Sequence, residues 1–164
     1  MTRFWRLFGL IVIMTGCAPV IVGSGPRIAE PALTPTHIIA ADGARLPLRH
    51  WRAHGTAKAV ILGLHGFNDY SKSLEDPAKA WVRAGLTVYA YDQRGFGAAP
   101  GWGLWPGVAA LADDLVTATR LIRARHPGLP LFVVGESMGA AVILSAVAAK
   151  APPNADGYVL SAPA

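Results

Sequence analysis

Apolar residues gather in short continuous runs, separated by longer segments of mixed polarity. Ala59 to Leu64 is continuously apolar, Leu131 to Val134 is an apolar run, Leu86 to Tyr91 is apolar but for Thr87, and all are too short for core helices. Such runs fit strands buried on both faces of a parallel sheet. Between them the period changes. Val108 to His126 carries Leu111, Leu115, Ala118 and Ile122 at helical spacing. Asp76-Pro77 predicts a helix start, with the carboxylate as cap and proline at the first helical position. Ala80, Trp81 and Ala84 give that helix an apolar side, and Gly85 closes it. An Ala-rich helix is expected over 140–150, and Gly157 to Leu160 reads as one more strand. Upstream, Thr36 to Ala40 and Leu46 to Trp51 flank Asp42-Gly43, a hairpin signal. Pro47 lacks an N–H and predicts that the second hairpin strand lies at an edge. A hairpin followed by alternating strands and helices implies an α/β fold with a mostly parallel sheet and right-handed crossovers. Sites in such sheets lie at the carboxyl ends of the strands.

Composition narrows the picture. The chain has 164 residues, 52% of them hydrophobic and 15% charged, which excludes a disordered tail and suits one packed domain. The formal charge is +5, but the basic residues are scattered. The closest group, Arg120, Arg123 and Arg125, falls where a helix ends and suits the helix dipole, so nucleic-acid binding is not expected. Asp113 and Asp114 are adjacent on a helix and point in different directions, so they read as structural. His37, His50 and His54 read as surface histidines. No repeat, metal-ligand spacing or phosphate-binding loop is present, and no cofactor is expected.

The N-terminus reads as a targeting signal. Residues 1–6 are basic, and residues 7–14 are apolar and too short to span a bilayer. Met14-Thr15-Gly16-Cys17 resembles the lipobox of bacterial lipoproteins, with methionine where leucine is usual. Cys17 is the sole cysteine, so it has no internal disulfide partner. The expectation is a signal peptide over 1–16, a lipidated Cys17, and a Pro/Gly/Ala-rich tether through Pro35. The folded domain would then span 36–164. Ala18 after the cysteine implies, by the same resemblance, the periplasmic face of an outer membrane.

Candidate chemistry centres on Gly135-Glu136-Ser137-Met138-Gly139, placed between a strand and a helix. A nucleophile on so tight a turn needs neighbours without side chains, because strand and helix nearly touch there. The helix behind Ser137 directs its positive end toward developing negative charge. His65-Gly66-Phe67 follows the first buried strand. There the Phe67 N–H and the Met138 N–H would form an oxyanion hole, with His65 holding the loop. Tyr91-Asp92-Gln93-Arg94-Gly95-Phe96-Gly97 follows the second buried strand. Asp92 precedes the serine and reads as a loop-fixing residue. Trp102 and Trp105 either line an acyl pocket or pack over their own loop.

These three motifs together resemble the first half of an α/β-hydrolase over roughly residues 36–164. The resemblance is to the monoacylglycerol lipase and lysophospholipase group, which includes serine aminopeptidase S33. The element Asp92-Gln93-Arg94-Gly95-Phe96-Gly97 is its most specific part, with Arg94 and Gly95 supporting the loop. The resemblance implies hydrolysis of a small acyl ester or lipid through an acyl-serine intermediate on Ser137. It also implies a later acid and a later histidine. No histidine occurs beyond His126, and the acid beyond the elbow, Asp156, follows it too soon. The sequence is therefore expected to be the N-terminal part of a longer lipid-anchored esterase, without the later strands and lid. Two other readings stand beside it: a catalytically inactive binding module, and an enzyme completed by a separately encoded half. Oligomeric state and acyl or head-group preference are not readable.

Overall fold

The computed structural model describes residues 20–164. The signal-peptide segment, Cys17 and the first residues of the expected tether lie outside the described residues. One seven-stranded sheet organises the rest, in the order β1-β2-β3-β5-β4-β6-β7. Its strands are β1 (Ala32–Leu33), β2 (His37–Ile39), β3 (Arg45–Trp51), β4 (Ala59–Leu64), β5 (Leu86–Tyr91), β6 (Leu131–Glu136) and β7 (Gly157–Ser161). The helices are α1 (Glu75–Arg83), α2 (Val108–Arg125) and α3 (Met138–Val147). β4 pairs in parallel with both β5 and β6, and β6 in parallel with β7. β1, β2 and β3 join antiparallel. The expected mixed sheet, hairpin and buried central strands are all present.

Alternation along the central strands makes two cores. Val60, Leu62, Leu64, Tyr89, Tyr91, Leu131 and Val133 face one way and pack against α2 and α3 through Leu111, Leu115, Ile122, Val142 and Ile143. Ile61 and Val88 face the other way and meet Ala78 and Val82 of α1. Burying a branched aliphatic side chain contributes about 1.5–3 kcal/mol, so covering both faces of β4 is a major source of stability. The predicted stripe of α2, Leu111, Leu115, Ala118 and Ile122, is wholly buried.

Several boundaries and roles differ from expectation. β3 is not an edge strand: it pairs with β2 through Arg45, Leu46 and Pro47, then with β5 from Leu48 onward. Pro47 is tolerated because it sits at this change of partner. Its carbonyl accepts the Asp92 N–H at 2.8 Å, and its nitrogen faces the same side, past the last paired residue of β5. α1 begins at Glu75, continuing a 3-10 turn over Ser71–Leu74. Asp76 therefore caps nothing and binds Lys79 at the surface instead. With the start moved, the buried face is Ala78 and Val82, not Ala80 and Ala84. β6 and α3 meet with only Ser137 between them, so α3 starts at Met138, two residues earlier than expected.

The tether boundary also moves. Ala32–Leu33 form β1, and the Ile28 and Ala29 amides both donate to the Ala41 carbonyl. The Gly25 amide donates to the Asp42 carboxylate at 3.0 Å. Ile21 bridges Trp105, and the Val22 amide donates to the Trp105 carbonyl at 2.9 Å. Residues 20–35 thus lie along the domain. Proline and glycine there break periodicity without preventing backbone pairing.

Candidate active site

β6 and α3 cross so closely at Ser137 that glycine is required on either side of it. A Cβ on Gly135 would stand 2.6 Å from the Gly139 backbone. A Cβ on Gly139 would stand 2.5 Å from the Leu64 carbonyl oxygen and 2.8 Å from that of His65. Ser137 itself adopts φ 49°, ψ −114°, a conformation that non-glycine residues rarely accept. The surroundings hold it there. The Ser137 amide donates to the Ser161 carbonyl at 2.9 Å, at the end of β7. The serine is half-buried at the carboxyl end of the sheet.

The loop after β4 faces this elbow. A Cβ built on Gly66 would lie 3.6 Å from the Ser137 Cβ. Among the described residues, neither the Phe67 amide nor the Met138 amide has a hydrogen-bond acceptor. Met138 opens α3, where the first amides are left unsatisfied by the helix itself. Two unengaged donors on the two loops flanking one serine are what a developing oxyanion needs.

His65 is fully buried, with both ring nitrogens in use. Nδ1 lies 2.8 Å from the Gly66 carbonyl, and Nε2 accepts the Gln93 N–H at 3.0 Å. That pairing assigns the proton to Nδ1. The Gln93 side chain donates back to the His65 carbonyl at 2.8 Å. Burial lowers the His65 pKa below its ordinary value, and the ring stays neutral. A ring so occupied ties the β4 loop to the β5 loop.

Asp92 is equally committed. It accepts the Ser71 amide at 2.9 Å, the Ser71 hydroxyl at 2.5 Å and the Ala98 amide at 2.9 Å. Gly97 leaves room for it, since a Cβ there would come 2.4 Å from the carboxylate. Gly95, at φ 83°, lets the same loop pass under Leu104. Arg94 is held by two carboxylates, Asp42 at 2.6 Å and Asp114 at 2.8 Å. Burial opposes ionisation of Asp42, but hydrogen bonds from Arg94 and from the Ala44 and Gly25 amides hold it down to about 2. Deeper burial pushes the Asp114 carboxyl up despite Arg94. The partnerships of Asp42, Asp114, Ser71 and Gln93 were not readable from sequence, since each joins segments distant along the chain. Asp113 stays exposed, in keeping with its opposite direction on α2.

A cleft of about 430 Å³ runs between Phe67, on the loop after β4, and Tyr70, Phe96, Trp102, Leu104 and Trp105, with Ser137 outside its lining. Trp102 and Trp105 thus both line it. A second cleft of about 470 Å³, lined by His50, Tyr89, Arg125 and His126, opens between β3, β5 and the end of α2 and includes no part of the elbow. His126 there is engaged with the Tyr89 hydroxyl at 2.8 Å. Asp156 binds Arg123 and the Leu131 amide, at the end of β6 opposite the serine. Among the described residues, no histidine or carboxylate therefore meets Ser137. Nor does any group of three His, Cys, Asp or Glu side chains converge as a metal site.

A mixed sheet with a serine on a strained strand-to-helix turn, faced by a His-Gly loop, defines an α/β-hydrolase. Solved structures agree in fold. A lipase in its open form superposes with a TM-score of 0.67 over 79% of this chain and 44% of that one, at 24% identity. A soluble variant of the monoglyceride lipase of Saccharomyces cerevisiae gives 0.64 over 85% and 48%, also at 24% identity. The family model for serine aminopeptidase, S33 matches residues 55–164, and the chain belongs to that family. Human monoglyceride lipase is 31% identical over 84% of this chain and 48% of its own length. The monoacylglycerol lipase of Mycolicibacterium smegmatis is 30% identical over 74% and 44%. The chain spans about half the length of the curated relatives it matches.

Proposed function

We propose that this chain carries the nucleophile and oxyanion hole of a serine hydrolase acting on monoacyl esters. The observation that carries this is Ser137 itself: a strained backbone, enforced by two glycines, beside two unengaged amides. Strain of about 1–3 kcal/mol persists where the surroundings impose it, and functional turns are where it gathers. In this reading the Ser137 hydroxyl adds to the ester carbonyl, and its proton passes to a histidine. The Phe67 and Met138 amides hold the resulting oxyanion. Collapse expels the alcohol, which takes the proton, and leaves an acyl-serine. Water then adds to that ester and releases the fatty acid.

His65 and Asp92 do not serve as base and acid, because their hydrogen-bonding positions are filled by the scaffold. The proposal therefore places the histidine and its acid outside these 164 residues. The length of the monoglyceride lipase relatives supports that reading. Their names also favour a monoacylglycerol or similar single-chain lipid as substrate, and the apolar cleft beside Phe67 suits one acyl chain.

We further propose that Cys17 is lipidated and that the protein acts at the periplasmic face of an outer membrane. Substrate and enzyme would then share one surface.

The test is labelling of the full-length protein with a fluorophosphonate, alongside its Ser137→Ala variant. Labelling that disappears in the variant is expected. A folded full-length protein that fails to label would leave the inactive binding module as the better reading.

A further inference from the structure

The Phe67 donor belongs to a peptide whose other end is held. Its N–H shares the Gly66–Phe67 peptide unit with the Gly66 carbonyl, and that carbonyl lies 2.8 Å from Nδ1 of His65. A trans peptide is planar, so its C=O and N–H point in opposite directions. Fixing the carbonyl therefore fixes the aim of the Phe67 N–H. Nε2 of the same ring accepts the Gln93 N–H at 3.0 Å, which leaves the ring proton on Nδ1, where it meets the Gly66 carbonyl. Gln93 makes a second bond, from its side-chain amide to the His65 carbonyl at 2.8 Å. His65, Gly66 and Gln93 are all buried, so water does not compete for these bonds. Gln93 is itself held in place, because it sits between Asp92 and Arg94, whose side chains are both locked into the scaffold.

We infer that Gln93 is a positioning residue for the oxyanion hole: it sets the tautomer and the seat of the His65 ring, and the ring aims the Phe67 N–H. The inference rests on the reading of Ser137 as nucleophile with Phe67 and Met138 as its oxyanion donors. A donor aimed in advance costs no reorganisation when negative charge develops. A hydrogen bond at the carbonyl end also polarises the peptide and strengthens its N–H as a donor. The ground-state ester gains little, since the oxyanion forms only on the way through the transition state. The effect therefore belongs in kcat and not in KM. The Met138 N–H needs no such relay, because the start of α3 leaves it free. The two halves of the hole are thus set by separate devices.

The test uses the full-length protein, with fluorophosphonate labelling and hydrolysis of p-nitrophenyl butyrate both measured per folded molecule. His65→Asn keeps an amide donor near the Nδ1 position. His65→Gln keeps a polar group near Nε2 and has no donor at Nδ1. His65→Asn is expected to label faster than His65→Gln by about tenfold or more, within the roughly 10²–10³ that one oxyanion donor supplies. Gln93→Met keeps the backbone donor, loses the side-chain one, and is expected to lower kcat severalfold with KM unchanged. Equal labelling rates for the two His65 variants, or a Gln93→Met protein with wild-type kcat, would overturn the inference and leave Ser137 as the nucleophile. A folded wild-type protein that fails to label would overturn that reading and this inference together. If the His65 variants do not fold, nitrogen NMR of wild-type protein carrying isotope-labelled histidine decides. A proton on Nδ1 of His65 is expected, and a proton on Nε2 would overturn the relay.

Discussion

Arg94, on the loop after β5, reaches Asp42 in the β2–β3 turn at 2.6 Å and so ties the N-terminal hairpin to the carboxyl end of the parallel strands. Asp42 stays ionised in the fold down to about pH 2, whereas an unfolded chain takes up that proton near 3.8. Its contribution is therefore full above about pH 4 and is lost as the pH falls toward 2. The shift corresponds to about 2 kcal/mol. Asp42→Asn is expected to lose about that much stability at pH 7 by urea unfolding, with the gap closing toward pH 2. Asp114, raised by burial, works in the opposite direction, so the diagnostic is the difference between wild type and variant.

Ser137→Gly separates strain from chemistry. Glycine accepts φ 49° without steric cost, though it adds freedom to the unfolded chain. The variant is expected to gain about 1 kcal/mol in stability while losing fluorophosphonate labelling. Ser137→Ala keeps the strain and is expected to lose labelling with no such gain. Equal melting temperatures for the two variants would show that the turn stores no strain.

Gly139→Ala places a Cβ against the carbonyl oxygens of Leu64 and His65. Backbone atoms of a central strand have little room to retreat. A loss of more than about 2 kcal/mol is expected from overpacking. Because the displaced atoms adjoin Gly66, the rate of labelling should fall further than the folded fraction. Proportional losses would confine the effect to stability.

Asp92→Asn keeps one acceptor and turns the other into a donor facing an amide. Ser71 retains a partner, while the Ala98 N–H meets an N–H group. A loss of about 2–3 kcal/mol is expected. The loop from Gly95 to Gly97 lines the cleft, so KM for a monoacyl ester should rise more than kcat falls. An unchanged KM would mean that Asp92 does not shape the cleft.

The central strands were legible because burial on both faces writes itself as an apolar run, unbroken in Ala59–Leu64 and interrupted only by Thr87 in Leu86–Tyr91. The stripe of α2 was equally plain, since one face of a long helix repeats four times. Pro47 misled because a missing N–H matters only where a partner strand waits, and β3 changes partner at that residue. Asp76 misled because the 3-10 turn before α1 supplies the helix entry that a cap would otherwise make. At the site, the glycines around Ser137 announced a close crossing in one dimension. The double grip on Arg94 did not, because its two carboxylates come from a turn and a helix far away along the chain.

The hydrogen bond from Ser137 to Ser161 gives the elbow a place in time. A chain made from its N-terminus delivers the serine well before the strand whose carbonyl receives its amide. Until β7 lies beside β6, one of the bonds that sustain the strained conformation has no acceptor. An unfinished sheet would let the turn relax, and a relaxed turn presents an ordinary hydroxyl. The turn's conformation thus depends on a strand some twenty residues further along the chain, and the neighbour that confines the serine is the strand beside its own.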